Sequence, residues 1–168
     1  MKKRRPTIPI GEWKLAVHLE ATRKIQNQKG IPANDCDCDL CTGWKNSLDQ
    51  VFPDDIIKNL TRIGIEPKCP TDFNKYGENE TGESLRVIYH AVGKILSGPN
   101  QFRTDDLGGS LIYHPVRIEP RLSLVVIPQK QSYVYAPIID DASAGMLICI
   151  DFRLVMPHKM SASPDSNG

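Results

Sequence analysis

Three of the five cysteines in this chain fall within one short run, Asp35-Cys36-Asp37-Cys38-Asp39-Leu40-Cys41. Cysteine thiolates bind zinc at about 2.3 Å, and a structural zinc site closes with four ligands. Cys36, Cys38 and Cys41 offer three of them, and Cys69, His90, His114 and Cys149 are the candidates for the fourth. Two features weigh against a metal. Zinc sites commonly pair two C-x-x-C half-sites, and this chain has one. Asp35, Asp37 and Asp39 also put negative charge beside the thiols, which opposes the thiolate that a metal needs. Two other readings therefore stand beside zinc. In one, Cys36 and Cys38 are small loop residues and Cys41 faces the core. In the other, the cluster has a redox or disulfide role.

Other chemistry is sparse. A nucleophilic cysteine needs a base, and His18, His90, His114 and His158 are scattered, with no signature around any cysteine. His90 reads as a hydrogen-bonded structural histidine on a strand. Asp105-Asp106 and Asp140-Asp141 are paired acids beside Gly or Ala, where Asp favours turns through local backbone hydrogen bonds. No phosphate-binding loop, dinucleotide fingerprint, H-E-x-x-H or G-x-S-x-G occurs. Nucleic-acid binding lacks a basic stripe interleaved with aromatics; Tyr133 and Tyr135, beside Lys130 and Gln131, are the nearest approach, and exposed aromatics on a strand more often mark a protein interface.

The elements that must position these residues follow from spacing. Trp13, Leu15, Val17 and Leu19 alternate with Glu12, Lys14, His18 and Glu20, which predicts a strand over 12–20 with His18 on its polar face. Residues 24–39 read as a loop. Asp39 is placed to cap a helix from Leu40, whose stripe is Leu40, Trp44, Leu48 and Val51. Pro53-Asp54-Asp55 opens a second helix with Ile56, Ile57, Leu60 and Ile63 on its apolar face and Gly64 ending it. Residues 71–84 read as turns. Residues 85–96 fit a helix and a strand equally well. Residues 110–118, Leu122–Ile127 and Gln131–Ala136 read as strands. Met146–Met156 alternates most clearly, with Ile148, Ile150, Phe152, Leu154 and Met156 inside and Asp151 and Arg153 outside.

The 168 residues make one domain, long enough to bury about 70% of the surface its unfolded chain exposes. With a net charge of +1 there is no general case for nucleic acid or an acidic surface. The exception is the basic start Lys2-Lys3-Arg4-Arg5, which reads as part of a flexible terminus over 1–10. No window reaches the ~18 apolar residues that span a bilayer, and no apolar core follows the basic start as a signal peptide requires. The expectation is a cytoplasmic protein with reduced thiols. The domain is expected over 11–158 and a disordered polar tail over 159–168.

In chain order come Cys36-Asp-Cys-Asp-Leu-Cys41, Phe52-Pro53, Gly64-Ile65-Glu66-Pro67, Tyr76-Gly77, Tyr89-His90-Ala91-Val92-Gly93-Lys94-Ile95-Leu96 and Ile150-Asp-Phe-Arg-Leu-Val-Met-Pro157. This order resembles a group of small uncharacterised bacterial proteins with a C-D-C-x-x-C cluster, a G-I-x-P turn, a Y-H-x-V-G-x-I-L segment and a terminal strand ending in Pro. The resemblance covers most of the chain. It implies fold rather than activity, and it implies strand for 85–96.

The fold expected is α+β, a mostly antiparallel sheet with a central helical pair over about 40–64 packed on one face. The function expected is non-enzymatic. It is a bacterial protein that binds a protein partner, as an immunity or antitoxin-type inhibitor does. The alternative is a small zinc protein organised by Cys36, Cys38 and Cys41.

Overall fold

Strand alternation at Met146–Met156 marks the centre of the molecule. The computed structural model describes residues 5–28, 31, 36–104, 111–132, 134–139 and 145–158, with backbone alone for 102–104 and 111–113. The strands are β1 (Thr7–Ile10), β2 (Trp13–Val17), β3 (Asp72–Asn79), β4 (Gly82–Ser97), β5 (Phe102–Thr104), β6 (Leu111–Tyr113), β7 (Val116–Glu119), β8 (Leu122–Pro128) and β9 (Met146–Met156). The helices are α1 (Leu19–Gln26), α2 (Asp39–Ser47) and α3 (Asp54–Arg62). A seven-stranded sheet runs β1-β2-β4-β9-β8-β7, with β3 also on β4, and β5 and β6 form a separate pair. Every pairing is antiparallel.

The α+β expectation holds. The helical pair α2 and α3 lies on one sheet face, where Trp44, Phe52, Ile56 and Leu60 meet Val87, Tyr89, Ile150 and Phe152. The Phe52 and Phe152 rings are 4.7 Å apart, and Trp44 meets Phe52 edge-on at 5.2 Å. Burial of such apolar area, at about 25 cal/mol per Å², holds the two layers together. Gly64 ends the α3 turn at φ +89°, a conformation that favours glycine.

β4 settles the ambiguous segment as strand, and it has three neighbours. It pairs with β9 over Glu83–Gly93, with β3 over Gly82–Ile88 and with β2 over Gly93–Ser97. Between β3 and β2 its edge has no strand partner among the described residues, and α1 fills that gap with polar groups. The His18 amide donates to Val92 O at 2.7 Å, the Gln26 side-chain amide donates to His90 O at 2.9 Å, and Val92 N–H donates to Thr22 Oγ1 at 2.9 Å. Thr22 and Gln26 are buried for this reason.

Several expectations are corrected here. The strand over 12–20 stops at Val17, and helix α1 occupies part of the expected loop 24–39. His18 is the N-cap of α1, accepting Ala21 N–H at Nδ1 (3.1 Å), rather than a solvated strand residue. Asp39 is the first residue of α2, not its cap. Residues 71–84 are mostly β3 and the start of β4 rather than turns, with a register shift between Lys75 and Gly77. The flexible terminus expected over 1–10 is corrected at Thr7–Ile10, a paired strand in which Ile8 and Ile10 are buried. The strand expected over 110–118 is two strands, β6 and β7, with His114-Pro115 between them. Gln131–Ala136 forms no strand where described, since Gln129–Gln131 is a single 3₁₀ turn. Asp151 is buried rather than outward. The expected tail 159–168 and the acid pairs Asp105-Asp106 and Asp140-Asp141 lie outside the described residues.

Candidate metal centre

The three clustered cysteines converge because of where α2 begins. Cys38 is the N-cap residue and Cys41 the third residue of the helix. Side chains at these two positions face each other across the first turn, as in a capping box. Cys36 lies two residues earlier. The loop is tied to the helix by Thr42, whose backbone N–H donates to Cys38 O at 2.9 Å and whose hydroxyl donates to Asp37 O at 3.2 Å. The three sulfurs lie 3.3–3.6 Å from one another, and all three are free thiols.

That spacing discriminates between ligands. Sulfurs on a tetrahedral ion with bonds near 2.3 Å sit about 3.8 Å apart, so small shifts would seat one zinc-sized ion. Thiolates on separate irons of a cubane cluster lie about 6 Å apart, which this set does not reach.

The thiols differ in acidity. Cys38 is exposed and its pKa is lowered, first by the Cys41 backbone amide and then by the Cys36 and Cys41 thiols. That amide acts without the geometry of a full capping hydrogen bond. The partial positive charge of the helix start favours the same anion. Cys41 is pushed up to about 12, first by burial and then by its two thiol neighbours.

Among the described residues no fourth Cys, His, Asp or Glu atom joins the three sulfurs. His90 and Cys149 are directly opposed on β4 and β9, both buried in the sheet. Cys69 follows α3 and its thiol is raised by burial. His114 is exposed in the β6–β7 link. A second group, Glu78, Glu83 and His158, gathers at the β3–β4 hairpin. Lys75 already fills it, with its ammonium 2.7 Å from Glu78 and 3.5 Å from Glu83.

His90 is a structural residue, as expected. Gln129 donates its amide to Val134 O at 3.0 Å, so its Oε1 accepts from His90 Nε2–H at 2.7 Å. His90 Nδ1 lies 2.6 Å from the Thr71 hydroxyl, whose single proton is also within reach of Ile88 O at 2.9 Å. This is the neutral imidazole, and burial lowers its pKa to about 4.

Sequence reasoning singled out Asp151 and Arg153, as outward residues and as candidates for an enzyme pocket, but missed Arg86 as their neighbour. Asp151 receives the Arg86 guanidinium in a fork, Nε at 3.0–3.1 Å and Nη2 at 2.6 Å, and Arg153 stands at 3.7 Å. The alternation of Ile150, Asp151, Phe152 and Arg153 suggests a wet outer face. Arg86 gave no comparable signal, because it lies in a segment without clean alternation.

Tyr133 lies outside the described residues. Tyr135 is 52% exposed, in a stretch without regular structure. No described helix is long and apolar enough to cross a membrane. No family model, curated protein or solved structure matches the chain.

Proposed function

We propose that this protein binds one thiophilic metal ion, zinc foremost, through Cys36, Cys38 and Cys41. The observation that carries the reading is the approach of three free sulfurs to 3.3–3.6 Å at a helix start. Soft thiolates select zinc, cuprous copper or iron over hard cations. Bound there, the ion would link the loop at Cys36 to the first turn of α2, and water or an added ligand would take the fourth position. Thiolates persist in a reducing compartment, so a cytoplasmic location belongs to the same reading. Metal analysis of protein purified without an affinity tag tests it. About one equivalent per chain is expected, falling in Cys38→Ser and Cys41→Ser. Less than a tenth of an equivalent in the native protein sinks it.

A second reading, binding of a protein partner in the manner of an immunity or antitoxin-type inhibitor, is favoured by Tyr135 and Ile138. Both project from one stretch, 52% and 73% exposed, and the Ile138 backbone is held on both its N–H and C=O by the Gln28 side chain. A partner recovered from native lysate should be lost with Tyr135→Ser/Ile138→Ser. Unchanged recovery removes this surface.

A further inference from the structure

The sheet face away from α2 and α3 carries an arginine row. Arg86 on β4 stands opposite Arg153 on β9, Arg153 opposite Ser123 on β8, and Ser123 opposite Arg117 on β7. Neighbouring strands lie about 4.8 Å apart, so three guanidinium side chains share one line across four strands. Like charges placed directly opposite repel. A row of this kind needs a counter-charge.

The counter-charge present is incomplete. Asp151 is committed to Arg86 through three short contacts, while its contact with Arg153 is 3.7 Å. Asp72 adds negative charge near Arg86, but from β3, across β4 from Arg153. Among the described residues, Arg153 Nε is buried without a hydrogen-bond partner. A buried donor without an acceptor is costly, and more so on a charged group. Beside it is a cavity of about 190 Å³, walled by Arg86, Arg153, Asp151, Ser132, Val125 and Ile127. Two guanidinium groups and one carboxylate leave a net positive charge there.

We propose that this cavity is an oxyanion site, in which a phosphoryl group accepts hydrogen bonds from the Arg153 guanidinium beside the Arg86–Asp151 pair. The planar guanidinium fork matches two oxygens of a tetrahedral anion. At about 30 Å³ per liquid water the cavity has room for about six waters, enough for such a group and a few waters. Free phosphate and a phosphate monoester share this chemistry. The site is independent of the cysteines.

Calorimetric titration of the wild-type protein at fixed ionic strength decides, with inorganic phosphate, phenyl phosphate and acetate as probes. Saturable binding of either phosphate is expected, with a rise in Tm that acetate does not reproduce. Tighter phenyl phosphate identifies an ester ligand, and tighter inorganic phosphate identifies the free ion. Arg153→Gln should weaken binding at least tenfold, and Arg153→Lys, which keeps the charge but not the fork, by less. Absence of saturation in the wild type, equal binding of acetate, or undiminished binding by a folded Arg153→Gln protein overturns the proposal.

Discussion

His90 makes the stability of this protein depend on acid. The imidazole is buried, neutral and wedged between Thr71 and Gln129, with its pKa lowered from 6.5 to about 4. In the unfolded chain it would take a proton near pH 6.5. The unfolded state therefore binds the proton first as pH falls. The stabilisation is fully present above pH 6.5 and is lost progressively down to pH 4, where the folded protein also accepts the proton. Each pH unit in that window is worth about 1.4 kcal/mol for one group, so the whole loss is about 3 kcal/mol. Against a typical total of 5–15 kcal/mol this is a large share. Urea unfolding, followed through the buried Trp13 and Trp44, should be measured at half-unit steps from pH 7.5 to 4. Carboxylates also titrate in this range, so the same series on His90→Gln supplies the reference. The variant starts lower, by about 1–3 kcal/mol for its broken hydrogen bonds. Its curve should then fall by about 3 kcal/mol less than the wild type between pH 6.5 and 4. Parallel curves, or a native imidazole titrating near 6.5 by NMR, refute the reasoning.

Four further outcomes follow. A Cβ on Gly93 would lie 2.1 Å from Ala16 O on the neighbouring strand, so Gly93→Ala should cost about 1–3 kcal/mol. By contrast, Gly43→Ala has open space inside α2 and should gain about 0.5–1 kcal/mol, and thermal melts of both rank the pair. Asp151→Asn strips the charge that the half-buried Arg86 faces and should cost about 1–3 kcal/mol in urea unfolding, with Arg86→Gln in the same background recovering part of the loss. Dilute hydrogen peroxide should oxidise Cys38 first, because it is exposed and its thiol is the acidified one. Mass spectrometry should then find a disulfide from Cys38 to Cys36 or Cys41, and preferential oxidation at Cys69 would contradict the reading.

The sheet-and-helices plan was legible because apolar spacing was clean where one face alone is buried. The α3 stripe, the Gly64 stop and the β9 alternation are such cases. Legibility failed where both sides of an element are covered or where polar groups do the covering. Asp151 and Arg153 alternate like a wet face, yet Ile88, Val125, Ile127 and Cys149 form a second small core beside Asp151. Helix α1 was hidden because it buries Thr22 and Gln26 against a strand edge, a role that apolar periodicity does not report. Hairpin β3–β4 was hidden by Gly77, Asn79 and Gly82, which mark a bulge and a turn within strands rather than their absence. For the cysteines, the spacing indicated candidate ligands. The N-cap position of Cys38, which brings them together and acidifies one of them, required the helix boundary.

Strand β9 has a consequence for how the protein is made. It lies between β4 and β8 in space but follows both in the chain. Until residue 156 has left the ribosome, the β1-β2-β4 half and the β7-β8 half have no common neighbour. During synthesis each half presents a bare hydrogen-bonding rim to the crowded cell, in β4's case one eleven residues long by its β9 register. Strand β9, made after both of its neighbours, is the keystone, so a nascent chain stalled short of it is an aggregation hazard.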